Sequence, residues 1–448
     1  MPPNLLKYLD RRIPRYTSYP TAAQFGPQID ARSYARWLAD LPAAAPVSVY
    51  VHVPFCAELC LYCGCHTAVA RHYAPVEAYV ELLLREIALV SRVLGGRAAT
   101  HLHWGGGSPT ILTPRDFHRV MAALRVTFAL ASDAELAIEI DPRTVTEEYV
   151  AALADTGINR ASLGVQDFDT HVQAAVNRMQ SFEQTARVAG WLRAAGIGSI
   201  NLDLMYGLPY QSVASIEATV RRALALDADR IVLFGYAHVP WMKRHQRLIP
   251  EHALPGSDQR FAQSRAAAKV LIGAGYEAIG LDHFAKSYDA LAQQQYVGRL
   301  HRNFQGYTTD ESGTLIGFGA SAIGTLPEGY VQNAPSAVAY RATIAAGQLA
   351  TARGCALTEE DRLRRDVIER LMCDLKVDLA ERCAAHHSDA DRFAAELSEL
   401  NALANEGLLE RSGYKISIPE RARPIVRTVC AVFDAYLSDD DMHFSQAS

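Results

Sequence analysis

Half of the eight cysteines in this 448-residue chain lie within ten consecutive positions. Cys56, Cys60 and Cys63 have the spacing C-x3-C-x2-C, and Cys65 follows two positions later. Three thiolates this close in sequence can surround one metal centre, and cysteine thiolates are the usual ligands of a [4Fe–4S] cluster. Because such a cluster usually takes four cysteines, three ligands leave one iron free for another molecule. Cys65 is a candidate fourth ligand, but its one-residue gap from Cys63 makes wrapping the same cluster awkward.

Two simpler interpretations of this loop stay open from the spacing alone. A structural zinc ion takes four closed ligands, often from two separated pairs, and thiols can also be plain core residues. Disulfides are disfavoured, because the N-terminus lacks a signal-peptide apolar region and we expect a cytoplasmic protein. The cysteines elsewhere are single and are predicted to be small core residues: Cys355, Cys373, Cys383 and Cys430.

The composition excludes several classes of partner. Hydrophobic residues at 49% and charged residues at 21% describe an ordinary globular protein. The formal net charge of −5 gives no general attraction to nucleic acid, and no apolar run is long enough to span a bilayer. We therefore expect neither nucleic acid nor a membrane as partner. An anionic substrate must then be met by locally placed Arg or Lys.

The elements that hold the cysteine loop are predicted to form an α/β fold. Short β-rich runs alternate with gaps that have room for a crossover helix, which is typical of βα units and a parallel sheet. Apolar residues between 76 and 90 recur at the spacing of one helical face. Six such units favour a barrel or partial barrel, in which the loops after the strands carry the chemistry. The predicted strands span 48–53, 100–104, 136–140, 161–165, 200–205 and 230–236.

A smaller α+β domain is predicted after the barrel. Thr358 and Asp361 resemble a capping box at the start of a helix, a further helix is predicted near 389–405, and a hairpin turns at Ser412-Gly413. A last amphipathic helix is predicted to place its apolar residues between 425 and 436 on one face. We expect three parts: an N-terminal segment over 1–35, a barrel over 36–323 and the C-terminal domain over 324–448.

Candidate ligand contacts lie at the predicted strand ends. The glycines of "HWGGGSPT", 105–107, remove side chains where a backbone must approach a ligand closely. Glu139 near the end of a buried strand needs a partner, either the hydroxyl pair of a ribose or a structural salt bridge with an Arg. Asn201 and Asp203 share a strand face and are expected inside the barrel. They could contact a ligand or form a satisfied polar network.

The cysteine loop resembles that of the radical S-adenosylmethionine (SAM) enzymes, and the resemblance extends along the chain. The segments "PRYTSYPTA", "YVHVPFC", "CGC", "LHWGGGSPT", "GVQDF", "LDLMYGLP", "YAHVP", "GLDHFA" and "LHRNFQGYTT" resemble the oxygen-independent coproporphyrinogen III oxidases. Together they run from residue 14 to about 323, and "RRDVIERLMC" and "CAVFDAYL" extend the similarity into the C-terminal domain.

This resemblance implies a radical SAM partial (β/α)6 TIM-like barrel with a smaller α+β C-terminal domain. It implies a [4Fe–4S] cluster held by Cys56, Cys60 and Cys63, with Cys65 in the motif but not a ligand. It also implies two SAM molecules. The positions matching contacts to the cluster-bound SAM are Tyr50, Gly106, Glu139 and Ile323. Those around the second SAM are Tyr62, Gly107, Ser108, Gln166, Arg178, Asp203 and Ala237. Tyr62 stands where relatives can have Phe, and Ser108 where they can have Thr.

The implied reaction converts two propionates of coproporphyrinogen III to vinyl groups, forming protoporphyrinogen IX in haem biosynthesis. The carboxylates of this tetrapyrrole need cationic or amide partners. Arg15 and Arg302 are candidates, and Tyr50 is expected to border the site. On pattern alone, each of them, like Arg178, could equally be a structural or surface residue.

Partners and alternative functions follow from the same resemblance. We expect a flavodoxin-like or ferredoxin-like reductant for the cluster, and a monomer. One alternative is a haem-binding chaperone that keeps the cluster loop, although such relatives typically have Phe at the position of Cys65. Another is a radical SAM methyltransferase or tetrapyrrole-modifying relative, against which "LHRNFQGYTT" argues.

Overall fold

A computed structural model describes residues 5–9, 11–94, 96–437 and 444 of the chain. Its main feature is one 12-stranded sheet with the order β12-β11-β10-β9-β1-β2-β3-β4-β5-β6-β8-β7. The strands are β1 Val47–Val53, β2 Ala98–Gly106, β3 Ala129–Ile140, β4 Arg160–Gln166, β5 Ser199–Tyr206, β6 Arg230–Gly235, β7 Tyr276–Ile279, β8 His283–Lys286, β9 Leu315–Phe318, β10 Ile323–Leu326, β11 Gly329–Asn333 and β12 Thr351–Ala356.

The six predicted βα units are confirmed. Strands β1 to β6 pair in parallel in chain order, and β9 adds a seventh parallel strand beside β1. Each of the six is followed by a helix before the next strand of this sheet, and parallel neighbours require such crossover connections. These helices are α1 Ala74–Leu94, α2 Pro114–Thr127, α3 Glu147–Asp155, α4 Phe182–Ala194, α5 Val213–Leu224 and α6 Ser257–Gly273.

The barrel core forms because the valines that alternate along β1, like apolar residues of the other parallel strands, pack in the main buried cluster. Every residue of β1 except Tyr50 is buried, which is the pattern of a strand covered by helices on one side and by barrel interior on the other. Helix α1 buries the predicted stripe, including Val80, Leu83 and Ile87, against this sheet. None of the helices among the described residues is long and apolar enough to cross a membrane.

The sheet crosses the predicted boundary at residue 323. Strands β10, β11 and β12 continue it in antiparallel pairing as far as Ala356. The sequence pattern missed this extension because these strands follow β9 as a meander, without the crossover helices that marked the earlier units. The architecture therefore changes after Ala356 rather than at residue 324.

The C-terminal unit begins with α7, Glu359–Asp374, whose N-terminus has the predicted Thr358–Asp361 capping box. The predicted hairpin is confirmed as strands Glu410–Ser412 and Lys415–Ser417. The predicted last helix is shorter: α8 spans Val426–Val432 after a 3-10 turn at Glu420–Ile425. The remaining helical segments there are Leu379–Ala385, Ala390–Phe393, Ala394–Glu399 and Asn401–Asn405.

The N-terminal segment packs on this C-terminal unit. Leu5, Leu9 and Ile13 are buried in one apolar cluster with residues of α7 and α8. The four single cysteines are buried as predicted. Elements not yet named are helical Leu6–Leu9, Ala22–Gln24, Ala31–Asp40, Pro109–Ile111, Thr170–Ala175, Arg244–Leu248, Glu251–Ala253, Ala290–Tyr296 and Ala337–Ala345, and strands Phe55–Cys56, Ala68–Val69, His301–Asn303, Gly306–Thr308 and Lys376–Asp378.

Candidate active site

A cavity of about 990 Å³ is enclosed by the sheet. Residues from all seven parallel strands line it, so the sheet curves around this space, and the N-terminal segment covers part of it through Pro14 to Ser18. Most of the predicted site residues line the cavity: Arg15, Cys56, Cys60, Tyr62, Cys63, Gly106, Gly107, Ser108, Glu139, Gln166, Arg178, Asp203 and Ala237. Three predicted site residues lie outside the lining: Tyr50 in β1, Arg302 in the strand His301–Asn303, and Ile323 at the start of β10.

The cysteine loop leaves the carboxyl end of β1, as predicted. The strand Phe55–Cys56 pairs in parallel with Ala68–Val69 and ties the two ends of the loop together. Cys60 is buried, Cys56 and Cys63 are half-buried, and Cys65 is exposed. Among the residues that the structure describes, no three His, Cys, Asp or Glu side chains are arranged around a single metal ion.

The thiols differ in how readily they ionise. The pKa of Cys63 falls to about 7, because its sulfur accepts a hydrogen bond from the Cys65 thiol and the charges of Lys243 and Arg178 are near. Burial raises the pKa of Cys56 to about 11, although Thr67 lies within 3.2 Å of its sulfur. The loop thus combines a thiol that ionises near neutral pH with one that needs a cation to ionise.

Two arginines that the cavity brings to the loop supply positive charge. Arg178 is buried, contrary to the surface position that its local sequence suggested, and its Nη1 lies 3.4 Å from the Cys60 sulfur. Arg143 Nη2 lies 3.7 Å from the same sulfur. Asp141 accepts from both arginines, at 3.4 Å and 2.7 Å. Burial works to raise the pKa of Asp141, but the two arginines hold it below its usual value.

Side chains of the segment after β6 donate hydrogen bonds to the main chain of the cysteine loop. Lys243 Nζ donates to the Cys65 carbonyl at 2.8 Å, and His245 Nε2 donates to the Cys63 carbonyl at 2.8 Å. Gln246, which is fully buried, donates to the Tyr62 carbonyl at 3.0 Å and to the Ala237 carbonyl at 3.2 Å. Sequence reasoning missed these three residues, although their position after the sixth strand was a usable signal.

The glycine turn after β2 is required by close packing. A Cβ on Gly107 would lie 2.5 Å from the Phe55 carbonyl oxygen. Gly106 has φ +114°, and a Cβ there would lie 2.7 Å from the His52 ring. Both the backbone conformation and the space therefore exclude larger residues.

The structural salt bridge with an arginine, one of the two predicted roles of Glu139, is replaced by hydrogen bonds from a histidine and a backbone N–H. The Glu139 carboxylate accepts from the Gly106 N–H at 3.1 Å and from His103 Nε2 at 3.3 Å. The side chain is 40% exposed to the cavity. It is therefore oriented by two donors while keeping acceptor capacity for a ligand.

Tyr50 lies behind this carboxylate in a chain of hydrogen bonds. His52 Nε2 donates to the His66 carbonyl at 3.0 Å, so its Nδ1 accepts from the Tyr50 hydroxyl at 3.0 Å. Burial lowers the pKa of His52 and keeps the ring neutral, which suits this arrangement. Tyr50 also stacks on the His103 ring, with centroids 5.9 Å apart.

Asp203 and Asn201 face the cavity from β5, as predicted from their shared strand face. Asn201 Nδ2 donates to Asp203 at 2.8 Å, and Ser162 donates to the other carboxylate oxygen at 3.0 Å. Burial, with the charge of Glu139, raises the pKa of Asp203 to about 6. The pair faces the cavity as predicted and forms a polar network, but the network is not fully satisfied, because Asn201 Oδ1 is buried without a partner.

Several buried polar atoms in the cavity wall lack any protein partner. They are Ser108 Oγ, Gln166 Oε1, Arg178 Nε and Asn201 Oδ1. Gln166 has φ +69°, an uncommon conformation for a residue with a side chain, at the end of β4. Unpaired buried polar groups cost free energy, so a ligand that bonded to them would be favoured.

Arg15 and Arg302 are neighbouring cations at the place where the N-terminal segment meets the cavity. Arg15 donates to the Gly235 carbonyl at 3.1 Å, and Arg302 packs over the Tyr307 ring at 4.4 Å. Nε and Nη1 of Arg302 are buried without partners. Asp282 is the acidic group near both: burial works to raise its pKa, but His283 and the two arginines hold it at about 2.

The C-terminal unit holds the segment that carries Arg15. Arg427 of α8 is buried and donates to the carbonyls of Ile13 and Pro14, the latter at 2.9 Å. Burial and the neighbouring arginines lower the pKa of Arg427 to about 9. The Tyr16 hydroxyl adds a bond to Asp434 at 3.1 Å. Sequence reasoning missed Arg427, because nothing in its own segment indicates contact with residues about 413 positions away.

Comparison with protein families matches two parts of the chain. A Radical SAM superfamily model matches residues 50–223, which contain the cysteine loop and the first five strands. A HemN C-terminal domain model matches residues 357–425, most of the C-terminal unit.

Comparison with characterised proteins covers nearly the whole chain. An oxygen-independent coproporphyrinogen III oxidase from Bradyrhizobium diazoefficiens is 51% identical over 443 residues, covering 99% of this chain and 98% of that protein. The protein of the same name from Paracoccus denitrificans is 43% identical, with 96% of each chain covered. The solved structure of coproporphyrinogen III oxidase (HemN) from Escherichia coli, a radical SAM enzyme, superposes with a TM-score of 0.91 at 38% identity, covering 95% of this chain and 100% of that one.

Proposed function

This chain belongs to the oxygen-independent coproporphyrinogen III oxidases, radical SAM enzymes of haem biosynthesis, and on that premise we propose how its cavity oxidatively decarboxylates coproporphyrinogen III to protoporphyrinogen IX. Each of two propionates loses one hydrogen atom from its β carbon, one further electron and CO2, and becomes a vinyl group. When bound, a [4Fe–4S] cluster and SAM supply a 5′-deoxyadenosyl radical that removes this hydrogen atom. The observation that carries the proposal is that three thiols, a glycine turn and the Arg15 segment line one cavity.

We propose that Cys56, Cys60 and Cys63 hold the cluster and that Cys65 does not. The donor set fits, because soft thiolates are the ligands that iron–sulfur clusters take. Arg178 and Arg143 place positive charge 3.4 Å and 3.7 Å from the Cys60 sulfur, on the side where an anionic cluster would bind. Cys65 instead contributes its carbonyl to Lys243 and its thiol to Cys63.

The first SAM molecule is assigned to Tyr50, Gly106, Glu139 and Ile323. Support comes from the Gly106 cradle, which a Cβ would fill, and from the acceptor capacity that Glu139 keeps toward the cavity. Glu139 would accept from ribose hydroxyls, oriented by the Gly106 N–H and His103. Tyr50 and Ile323 would act from behind the lining, Tyr50 by fixing the His103 ring.

A second SAM molecule is assigned to Tyr62, Gly107, Ser108, Gln166, Arg178, Asp203 and Ala237. Support comes from the unpartnered atoms in this wall: Ser108 Oγ, Gln166 Oε1 and Arg178 Nε offer a donor or an acceptor each. Asp203 adds a carboxylate whose charge a sulfonium or amino group would stabilise. Ala237 contributes backbone only, and Gln246 fixes its carbonyl.

The tetrapyrrole is assigned to the end of the cavity that the N-terminal segment covers. Arg15 and Arg302 would bind propionate carboxylates, since guanidinium groups pair with carboxylates through two parallel hydrogen bonds. Two atoms of Arg302 are already free of protein partners and buried. Tyr50 would act on this region from behind the lining, through the His103 ring on which it stacks.

Three further parts of the proposal concern the surroundings of the enzyme. We propose a flavodoxin-like or ferredoxin-like protein as the source of the electron that reduces the cluster. We also propose that the protein acts as a monomer and in the cytoplasm.

The test is an anaerobic assay of the reconstituted protein. Given SAM, dithionite and coproporphyrinogen III, it is expected to release two CO2 per tetrapyrrole and to form two vinyl groups, measured by mass spectrometry. Cleavage of SAM without CO2 would contradict the proposal and favour a methyltransferase or other tetrapyrrole-modifying enzyme. Haem binding without any SAM cleavage would favour a haem chaperone.

A further inference from the structure

The segment Trp241–Leu248, named here the basic segment, connects the cysteine loop to the protein surface. Three main-chain carbonyl groups of the loop, those of Tyr62, Cys63 and Cys65, accept hydrogen bonds from its side chains at 2.8–3.0 Å. Arg12 of the N-terminal segment lies over the Trp241 ring at 5.1 Å and holds the other end. The segment is therefore fixed on its inner side by the same loop that is proposed to hold the cluster.

The outer side of the basic segment is both charged and apolar. Arg244 and Arg247 are exposed and stand three residues apart in a 3-10 helix, in which such side chains lie one above the other. Trp241, Met242 and Leu248 are 43%, 63% and 71% exposed. Large exposed side chains grouped with arginines are typical of a protein interface.

Two carboxylates, one in the cysteine loop and one just after the basic segment, are already paired. Glu58 of the cysteine loop pairs with Arg143 at 3.3 Å, and Glu251 accepts from His238 at 3.2 Å. Lys243, Arg244 and Arg247 thus form a positive area in a chain whose formal net charge is −5. Such a local field attracts an acidic partner and speeds its encounter.

The two arginines do not serve the cavity. Met242 and Lys243 belong to its lining, but Arg244 and Arg247 do not. Propionates of the substrate are therefore not their counterions. The exposed side chains of Trp241 and Leu248 beside them are suited to contact with a partner protein rather than with a small anion.

We propose that the basic segment is the docking site of an acidic one-electron carrier protein that reduces the cluster held by the cysteine loop, an inference that rests on the proposed function. The reduced carrier gives up one electron and is oxidised by one electron, while the cluster gains that electron. No bond forms or breaks and no proton is needed. Docking here places the carrier directly against the loop, and electron transfer falls off steeply with distance.

The test compares two double variants with the same change of charge. Arg244→Glu/Arg247→Glu reverses the basic segment, and Arg221→Glu/Arg222→Glu reverses two exposed arginines of α5 as the control. Each protein, with its cluster reconstituted, is reduced by flavodoxin hydroquinone and separately by dithionite. Loss of the absorbance of the oxidised cluster is followed in a stopped-flow instrument.

The rate constant for reduction by flavodoxin is expected to fall at least about tenfold in the Arg244/Arg247 variant and to stay unchanged in the control. In the unaltered protein this rate should fall as salt is added, because salt screens exposed charges. Reduction by dithionite should be the same in all three proteins. Equal flavodoxin rates in the two variants, or no transfer from flavodoxin to the unaltered protein, would overturn the proposal. Decarboxylation after dithionite reduction tests the proposed function separately, so the two failures are distinguishable.

Discussion

Single residues in the cavity divide the chemistry among thiols, unpartnered polar atoms and cations. The thiol of Cys60 is buried between two arginines, whereas Cys65 is exposed and bonded to its neighbour. Polar atoms without partners lie in the cavity wall, one of them on Arg178, and Arg15 lies where the N-terminal segment covers the cavity. Each group can therefore be removed with a distinct expected effect.

Replacing Cys60 by Ala should abolish cluster binding. Two thiolates remaining from this motif cannot hold a cluster that already has one open iron. Iron and acid-labile sulfide per chain, measured after anaerobic reconstitution, should fall to background. Cys65→Ala is the matched control and should keep its iron, so loss of iron from that variant would show that Cys65 is a ligand.

Asp203 should make stability depend on pH in the cofactor-free protein. Burial raises its pKa from 3.8 to about 6. Its contribution to the free energy of unfolding is therefore fully present below pH 4 and is lost as pH rises through about 6. The substitution Asp203→Asn removes this pH-dependent loss of stability and keeps the shape of the side chain. The variant should therefore gain about 3 kcal/mol relative to the unaltered protein between pH 4 and pH 7.

The measurement for Asp203 is the urea midpoint of both proteins at several pH values. The difference between them should grow between pH 4 and pH 6 and then stay level. A constant difference across this range would show that the carboxyl does not titrate there. Asp227→Asn, at an exposed carboxylate, gives the comparison for a group whose pKa is lowered rather than raised.

At the scale of elements, loops at the carboxyl ends of parallel strands carry the site, and the glycine turn after β2 shows how tightly they are packed. Gly106→Ala introduces a Cβ against His52 at a φ of +114°. The cost of the backbone conformation alone is about 1–2 kcal/mol. SAM affinity, measured by equilibrium dialysis on the cluster-loaded protein, should fall at least about tenfold.

Gly198→Ala is the control for this turn, because a Cβ at Gly198 meets nothing within 4 Å. It should leave SAM affinity unchanged. Unchanged affinity in Gly106→Ala as well would mean that the turn does not approach the cofactor.

The sequence predicted these elements well where the signal was local. The six strands were identified from β-rich runs and α1 from the periodicity of its apolar residues, and the cysteine and glycine motifs were placed at strand ends because parallel strands share one functional edge. What could not be predicted are contacts between distant segments, such as Gln246 with Tyr62 or Arg427 with Pro14. Their side chains carry no local pattern, because only the tertiary fold brings the partners together. The same applies to Arg178, whose burial depends on the cysteine loop and Asp141.

At the scale of the whole molecule, the N-terminal segment and the C-terminal unit share one apolar core, and the segment continues from it to the barrel cavity. Leu5, Leu9 and Ile13 share an apolar cluster with α7 and α8, and the next residues reach the cavity. The C-terminal unit therefore acts on the substrate end through the segment that carries Arg15. This explains why a domain without cavity chemistry of its own belongs to the enzyme.

Arg427→Lys should weaken this connection. Lysine cannot donate to the carbonyls of Ile13 and Pro14 with a planar fork, so about 1–3 kcal/mol of buried hydrogen bonding is lost. The KM for coproporphyrinogen III should rise about tenfold, while SAM affinity stays unchanged. Arg421→Lys, whose arginine donates to an exposed carbonyl at Gly407, is the control and should leave KM as it is. An equal loss of SAM affinity in Arg427→Lys would instead indicate general destabilisation.

The central claim is that this cavity removes a hydrogen atom from the β carbon of a propionate by means of SAM. The most direct measurement uses coproporphyrinogen III deuterated at the β carbons of its propionates, with mass spectrometry of the 5′-deoxyadenosine formed anaerobically. The account predicts deuterium in 5′-deoxyadenosine together with release of CO2. Unlabelled 5′-deoxyadenosine accompanying decarboxylated product would contradict it.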